Sequence, residues 1–163
     1  MRMIVRTGLI GVLALVVTLA GAASSDAQTR QPTAAEIKLV RDCAAKHPDD
    51  GKGEEECAFK LVADPCIEKD GSNLGTADCY RIETAIWDAV LNDNYKELMA
   101  ALDDKGDQNK LKEMQRAWIA YRDTTCDFYW HKIHGSMSVP MTAACQLREA
   151  ARRALLLKFL QRV

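Results

Sequence analysis

The chain is predicted to be all-α: a three-helix antiparallel bundle preceded by a short disulfide-closed helical hairpin. Three observations predict it. Apolar residues recur at three- and four-residue spacing through the long stretches between residues 77 and 160, and no segment alternates with period two. Turn-forming clusters, "HPDDGKG" (47–53), "DDKGDQN" (103–109) and "HGSMSVP" (134–140), divide those stretches. Six cysteines, an even number, follow an export leader, the composition of a disulfide framework.

The leader comes first in the chain. "MRMIVRTGLIGVLALVVTLAGAASSDAQ" places Arg2 and Arg6 before an apolar run from about Gly8 to Ala20, then small residues ending Ser25-Asp26-Ala27. This is a secretory signal peptide, cut after Ala27, with an apolar run short for a membrane span. Its removal takes 27 of the 163 residues and leaves 136, enough for one modest core. Arg2, Arg6 and Asp26 go with it, so the 22 basic and 23 acidic residues become 20 and 22, a net charge of −2. That balance argues against nucleic acid, which wants a basic face, and no membrane attachment is expected after cleavage. The expected site of action is the periplasm or the outside of the cell.

Thr33-Ala34-Ala35-Glu36 is a capping box and opens a helix to about Lys46. After the break at 47–53, a second helix is expected from about Glu54 to Val62, with acidic residues in its favourable first turn. Cys43 and Cys57 lie equally far from the centre of the break, so two antiparallel helices hinged there would pair them. These elements form an N-terminal hairpin, residues 28–65. "ADPCIEKDGSNLGTAD" (63–78) reads as a loop with Pro65, Gly71 and Gly75. A helical domain, 66–163, follows. Its first helix runs from about Ala77 to Leu102, with Tyr80, Thr84, Trp87, Asp88, Leu91, Tyr95, Leu98 and Leu102 on its inner arc. The next runs to about Ile133, and the last from about Met141 to Leu160. The topology gathers Cys79, Cys126 and Cys145 near one end, with Cys66 on the loop entering it. Cys126–Cys145 is favoured by proximity across the turn, and Cys66–Cys79 then follows by elimination. Cys66–Cys126 with Cys79–Cys145 would also fit one crowded end.

The middle helix carries an anomaly. In "QRAWIAYRDTTC" (115–126) a 100° step aligns Leu111, Gln115, Trp118, Arg122, Cys126 and Tyr129 on one stripe, which therefore holds an amide and a guanidinium. Folding the two helices back about residues 105–106 sets Arg122 across from residues 88–89. The reading is an Asp88–Arg122 ion pair inside the bundle, with Gln115 and Asn92 or Tyr95 completing its hydrogen bonds. Burying either charge alone would cost several kcal/mol.

The cysteines Cys66 and Cys79, the run Trp87-Asp88-x-x-Leu91-Asn92-x-x-Tyr95-x-x-Leu98, the run Gln115-x-x-Trp118-x-x-Tyr121-Arg122-Asp123-x-x-Cys126, and Gly135, Cys145, Arg153 and Leu157 resemble the lysozyme-inhibitor LprI-like family of exported bacterial proteins. The resemblance spans about residues 66–160. Ala150 stands where the family tends to carry Thr, and the Cys43/Cys57 hairpin lies outside the common core. The resemblance implies an exported helical binder whose partner is a lysozyme-type enzyme or another envelope protein. The matched residues read as scaffold, and a shared scaffold does not transmit an inhibitory surface.

No catalytic constellation emerges and no cofactor is expected. "HGSMS" lacks the second glycine of a nucleophile elbow, and neither Ser72 nor Ser138 has a base beside it in sequence. No pair of carboxylates is singled out for glycoside hydrolysis. Asp127, His131 and His134 could share a rim and hold Zn²⁺ or Cu²⁺ weakly, but histidines at a helix C-terminus more often serve its carbonyls, so no metal site is assigned. A muramidase binder would use an acidic rim, for which "DDGKGEEE" supplies Asp49, Asp50, Glu54 and Glu55, and a protruding loop, for which "HKIHGSMS" supplies His131, His134 and Ser136. The competing readings are a structural or stress-related envelope protein without inhibitory activity and a small metal-binding protein.

Overall fold

A computed structural model of the chain describes residues 29–47 and 52–163. The expected signal peptide, Asp49 and Asp50 lie outside the described residues. Among those described, all regular structure is helical: α1 (Ala34–Lys46), α2 (Gly53–Cys57), α3 (Ala63–Ile67), α4 (Asn73–Ala101), α5 (Lys105–Lys132) and α6 (Ser138–Phe159). None is long and apolar enough to cross a membrane.

The helix starts follow from local chemistry. Thr33 and Glu36 close a reciprocal capping box on α1. Arg30 donates to both Glu36 oxygens and, ahead of the Thr33 hydrogen bonds, holds that carboxyl down at about 2. Ser72 accepts from the Gly75 N–H and starts α4 four residues before the expected Ala77. Asp104 accepts from the N–H groups of Gly106 and Asp107 and starts α5 inside the expected turn. The supposed loop after residue 62 contains α3, whose Pro65 sits in the first turn, where its missing N–H costs nothing. α2 is shorter than expected because Ala58 is already extended (ψ 142°) and Phe59 after it takes a left-handed φ of 71°, and no helix continues through that pair.

That turn is anchored by Glu83, which lies off the expected inner arc of α4. Glu83 is fully buried on α4. Its Oε1 accepts from the Phe59 N–H (2.8 Å) and the Trp87 indole N–H (3.1 Å), and its Oε2 from the Ala63 N–H (2.8 Å). Burial pushes the carboxyl upward, against the pull of those three donors. Phe59 also meets the Tyr80 ring edge-on at 5.6 Å.

The disulfides are Cys43–Cys57, Cys66–Cys79 and Cys126–Cys145, so the crossed alternative at the crowded end is not formed. They tie α1 to α2, α3 to α4, and α5 to α6.

α6 is the central rod. It lies along α4 in the most extensive interface of the molecule and takes α5 on another flank. α4 and α6 run parallel, as an up-down-up chain requires. Asn73 donates to Ser136 (2.8 Å) at one end; at the other Asn94 donates to the Ala154 carbonyl (2.8 Å), and Lys158 pairs with Glu97 (3.1 Å). Trp87, Ile86, Leu147 and Leu157 fill the space between them. The backbones of α4 and α5 do not pack closely. The all-α class holds, but the three long helices form a spine with two flanking rods rather than a closed triangle. α4 is covered from more than one side, by α6, α3 and α1, so it buries Ile82, Glu83, Ile86, Val90 and Asn94 besides Trp87, Leu91 and Leu98 from the expected arc. α5 buries only Leu111 and Cys126.

Candidate functional site

The polar stripe of α5 meets α6 rather than α4. Gln115 accepts from the Nε–H of Arg153 (2.9 Å), and the guanidiniums of Arg122 and Arg153 lie 5.0 and 5.6 Å from the centre of the Trp118 ring. Arg153 is buried, its Nη2 has no hydrogen-bond partner, and burial lowers its pKa. The expected Asp88–Arg122 ion pair is not formed. Arg122 pairs instead with its neighbour Asp123 (2.7 Å) and feels Asp88 only through the electrostatic field. Asp88 is half-buried; burial raises its pKa and the field of Arg122 opposes the rise. Asn92 is exposed and Tyr95 packs against the apolar core, so neither completes a network with Arg122. Arg153, present in the sequence as a family-type residue, is the missed partner. Its stripe on the last helix, with Leu157 four residues on and Ala150 three before, was the available signal.

The acidic rim is smaller than its sequence suggests. Glu54 is half-buried and accepts from Arg152 (2.6 Å), with Arg148 at 3.9 Å, so one charge of the run is spent joining α2 to α6. Glu55 and Glu56 face solvent. At the other loop, His131 and Asp127 are 3.0 Å apart and exposed, but His134 does not join them. The three-ligand rim considered from sequence is therefore not assembled. Among the described residues the one cluster of three potential ligands is Cys43, His47 and Cys57, whose two sulfurs are already bonded to each other. Gly135, with φ +84°, makes the turn, and Ser136 accepts the bond from Asn73. The two serines weighed as nucleophiles are occupied locally: Ser72 caps α4, and Ser138 donates to the Gly135 carbonyl (2.9 Å).

Because α5 leans on one neighbour, much of its surface is bare. Ile119, Tyr121, Phe128 and Trp130 are all substantially exposed. Beside Phe128 an open depression of about 510 Å³ is lined by Thr124, Thr125, Phe128, Tyr129, Lys132 and Ile133, all from α5 and its C-cap. The arrangement is a disulfide-stapled rod presenting a mixed aromatic and polar face.

No curated protein and no solved structure matches the chain. A family model described as "Lysozyme inhibitor LprI" matches residues 66–157, from the first cysteine of the α3–α4 disulfide to the last fully buried leucine of α6.

Proposed function

The chain belongs to the lysozyme inhibitor LprI family, and from that premise we propose that it is an exported, non-enzymatic binding protein that inhibits lysozyme-type muramidases. The observation that carries the reading is the family match over the α3–α6 region. The leader reading of residues 1–27 and three disulfides support action in an oxidising compartment, periplasmic or extracellular.

Residues 28–65 lie before the matched region, and we assign them as an accessory hairpin clamped by Cys43–Cys57. Its solvent-facing Glu55, with Asp49 and Asp50, and the His131, His134 and Ser136 turn are the proposed contacts with the enzyme. Acidic groups suit a basic muramidase, and an exposed turn suits a cleft. Glu54, already paired with arginine, is the weakest of these contacts.

The test is lysis of wall-bearing cells by several lysozymes, run beside cleavage of a short soluble oligosaccharide by the same enzymes, with the oxidised protein at micromolar concentration. Slower turnover of the soluble substrate is the expected result, weakened by Glu55→Lys and His134→Ala. Unchanged rates with every enzyme overturn the inhibitor reading and leave an envelope protein of another role.

A further inference from the structure

One flank of α5 combines aromatic faces, hydroxyls and a lone cation. Phe128 is 62% exposed and Tyr121 53%. Seven residues apart, they stand on the same side of the helix, separated by about 10 Å along its axis. The depression beside Phe128 contains the hydroxyls of Thr124, Thr125 and Tyr129, the ammonium of Lys132, and no carboxylate. Lys132 enters no ion pair among the described residues; the nearby Asp127 is engaged by His131 instead.

This chemistry selects among occupants. A purely apolar partner would leave Lys132 and the hydroxyls unpaired, and burying them unpaired is costly. A basic enzyme would meet Lys132 with like charge. A pyranose strand suits every group: aromatic faces take the C–H faces of sugar rings, hydroxyls exchange hydrogen bonds with the ring substituents, and the ammonium takes an anion. The separation of Tyr121 and Phe128 is close to that of alternate rings in an extended β-1,4-linked chain.

We propose that this flank of α5 binds a carboxylate-bearing β-1,4-linked amino-sugar glycan, the chemistry of the bacterial wall polymer. Tyr121 and Phe128 stack on alternate rings, and Lys132 pairs with a carboxylate. The proposal goes beyond direct inhibition and does not depend on it: a protein seated on the strand would shield it even from an enzyme it never touches.

The test is co-sedimentation of the oxidised protein with purified insoluble wall glycan freed of protein, alongside neutral chitin. The wild type is expected in the wall-glycan pellet. The pair Tyr121→Ala and Phe128→Ala should lower its affinity at least tenfold, and Lys132→Gln should reduce wall-glycan binding to the level seen on chitin. Thermal melting of these variants should match the wild type, since the changed side chains face solvent. Wild type left in the supernatant overturns the proposal, and so do variants that bind as well as the wild type. Retention on immobilised lysozyme that depends on Phe128, without glycan binding, would make this a protein-binding surface and overturn it too. Failure here leaves the soluble-substrate assay untouched, and failure of that assay leaves this result standing.

Discussion

Two charged side chains behave differently from what their wheel positions suggest, and both differences are measurable. Arg122 lies on Trp118 and pairs with a neighbouring, largely exposed Asp123, so Arg122→Met should cost about 1 kcal/mol in urea unfolding. A loss of about 3–5 kcal/mol would instead indicate a buried partner left alone. Glu83 is the more consequential charge. Glu83→Gln turns one acceptor oxygen into a donor facing an N–H, and should cost about 1–3 kcal/mol at neutral pH. The variant should also change the pH profile. The folded pKa of Glu83 lies above its ordinary 4.5, so its contribution is fullest below 4.5 and is lost as pH rises through the folded value. Glu36, depressed to about 2, has the opposite sign: its contribution is present above 4.5 and lost as pH falls toward 2. Urea titrations at stepped pH should show the first trend in the wild type and lose it in Glu83→Gln, with the second retained in both. Glu83 was legible in principle, because Cys79, Ile86, Trp87 and Val90 make an apolar stripe around it. It lies off the arc that carries Trp87, Leu91 and Leu98, because α4 is covered on more than one side.

Among the elements, helix ends written in side-chain oxygens were legible and those written in backbone geometry were not. Thr33 and Glu36 announce α1 from sequence, and its bounds follow. Past the extended Ala58 that ends α2, Phe59 turns the chain through a left-handed conformation that no residue type there advertises, since phenylalanine seldom adopts it. The start of α5 was obscured by Gly106, which reads as a turn residue but sits in the first helical turn under the Asp104 cap. Asp104→Ala removes an acceptor serving two N–H groups and should cost about 1 kcal/mol, read as a lower melting temperature. The candidate surface on α5 was only half legible. Tyr121 and Phe128 could be placed on one side by counting, but whether a neighbouring helix covers that side is something periodicity does not report.

At the scale of the whole molecule, fold class, the number of long helices and the Cys43–Cys57 and Cys126–Cys145 pairings follow from turn spacing and sulfur spacing. The choice between Cys66–Cys79 and the crossed pairing, and the order of contacts among the long helices, do not. A pattern of apolar residues says that a helix has neighbours, not how many. α5 has one close helical neighbour, and Cys126–Cys145 is the covalent part of that attachment. Replacing both cysteines with alanine should therefore cost about 3 kcal/mol, the value for a loop of this size, and should raise amide exchange in the C-terminal half of α5 ahead of α4 and α6. A uniform rise across all three would mean that α5 is supported elsewhere. The one-sided attachment of α5 also divides labour within a single rod. Its inner stripe carries the burden of folding, while its outer stripe can be rewritten residue by residue with little penalty to the architecture. The scaffold thus leaves one long face open to redesign, whatever ligand that face currently serves.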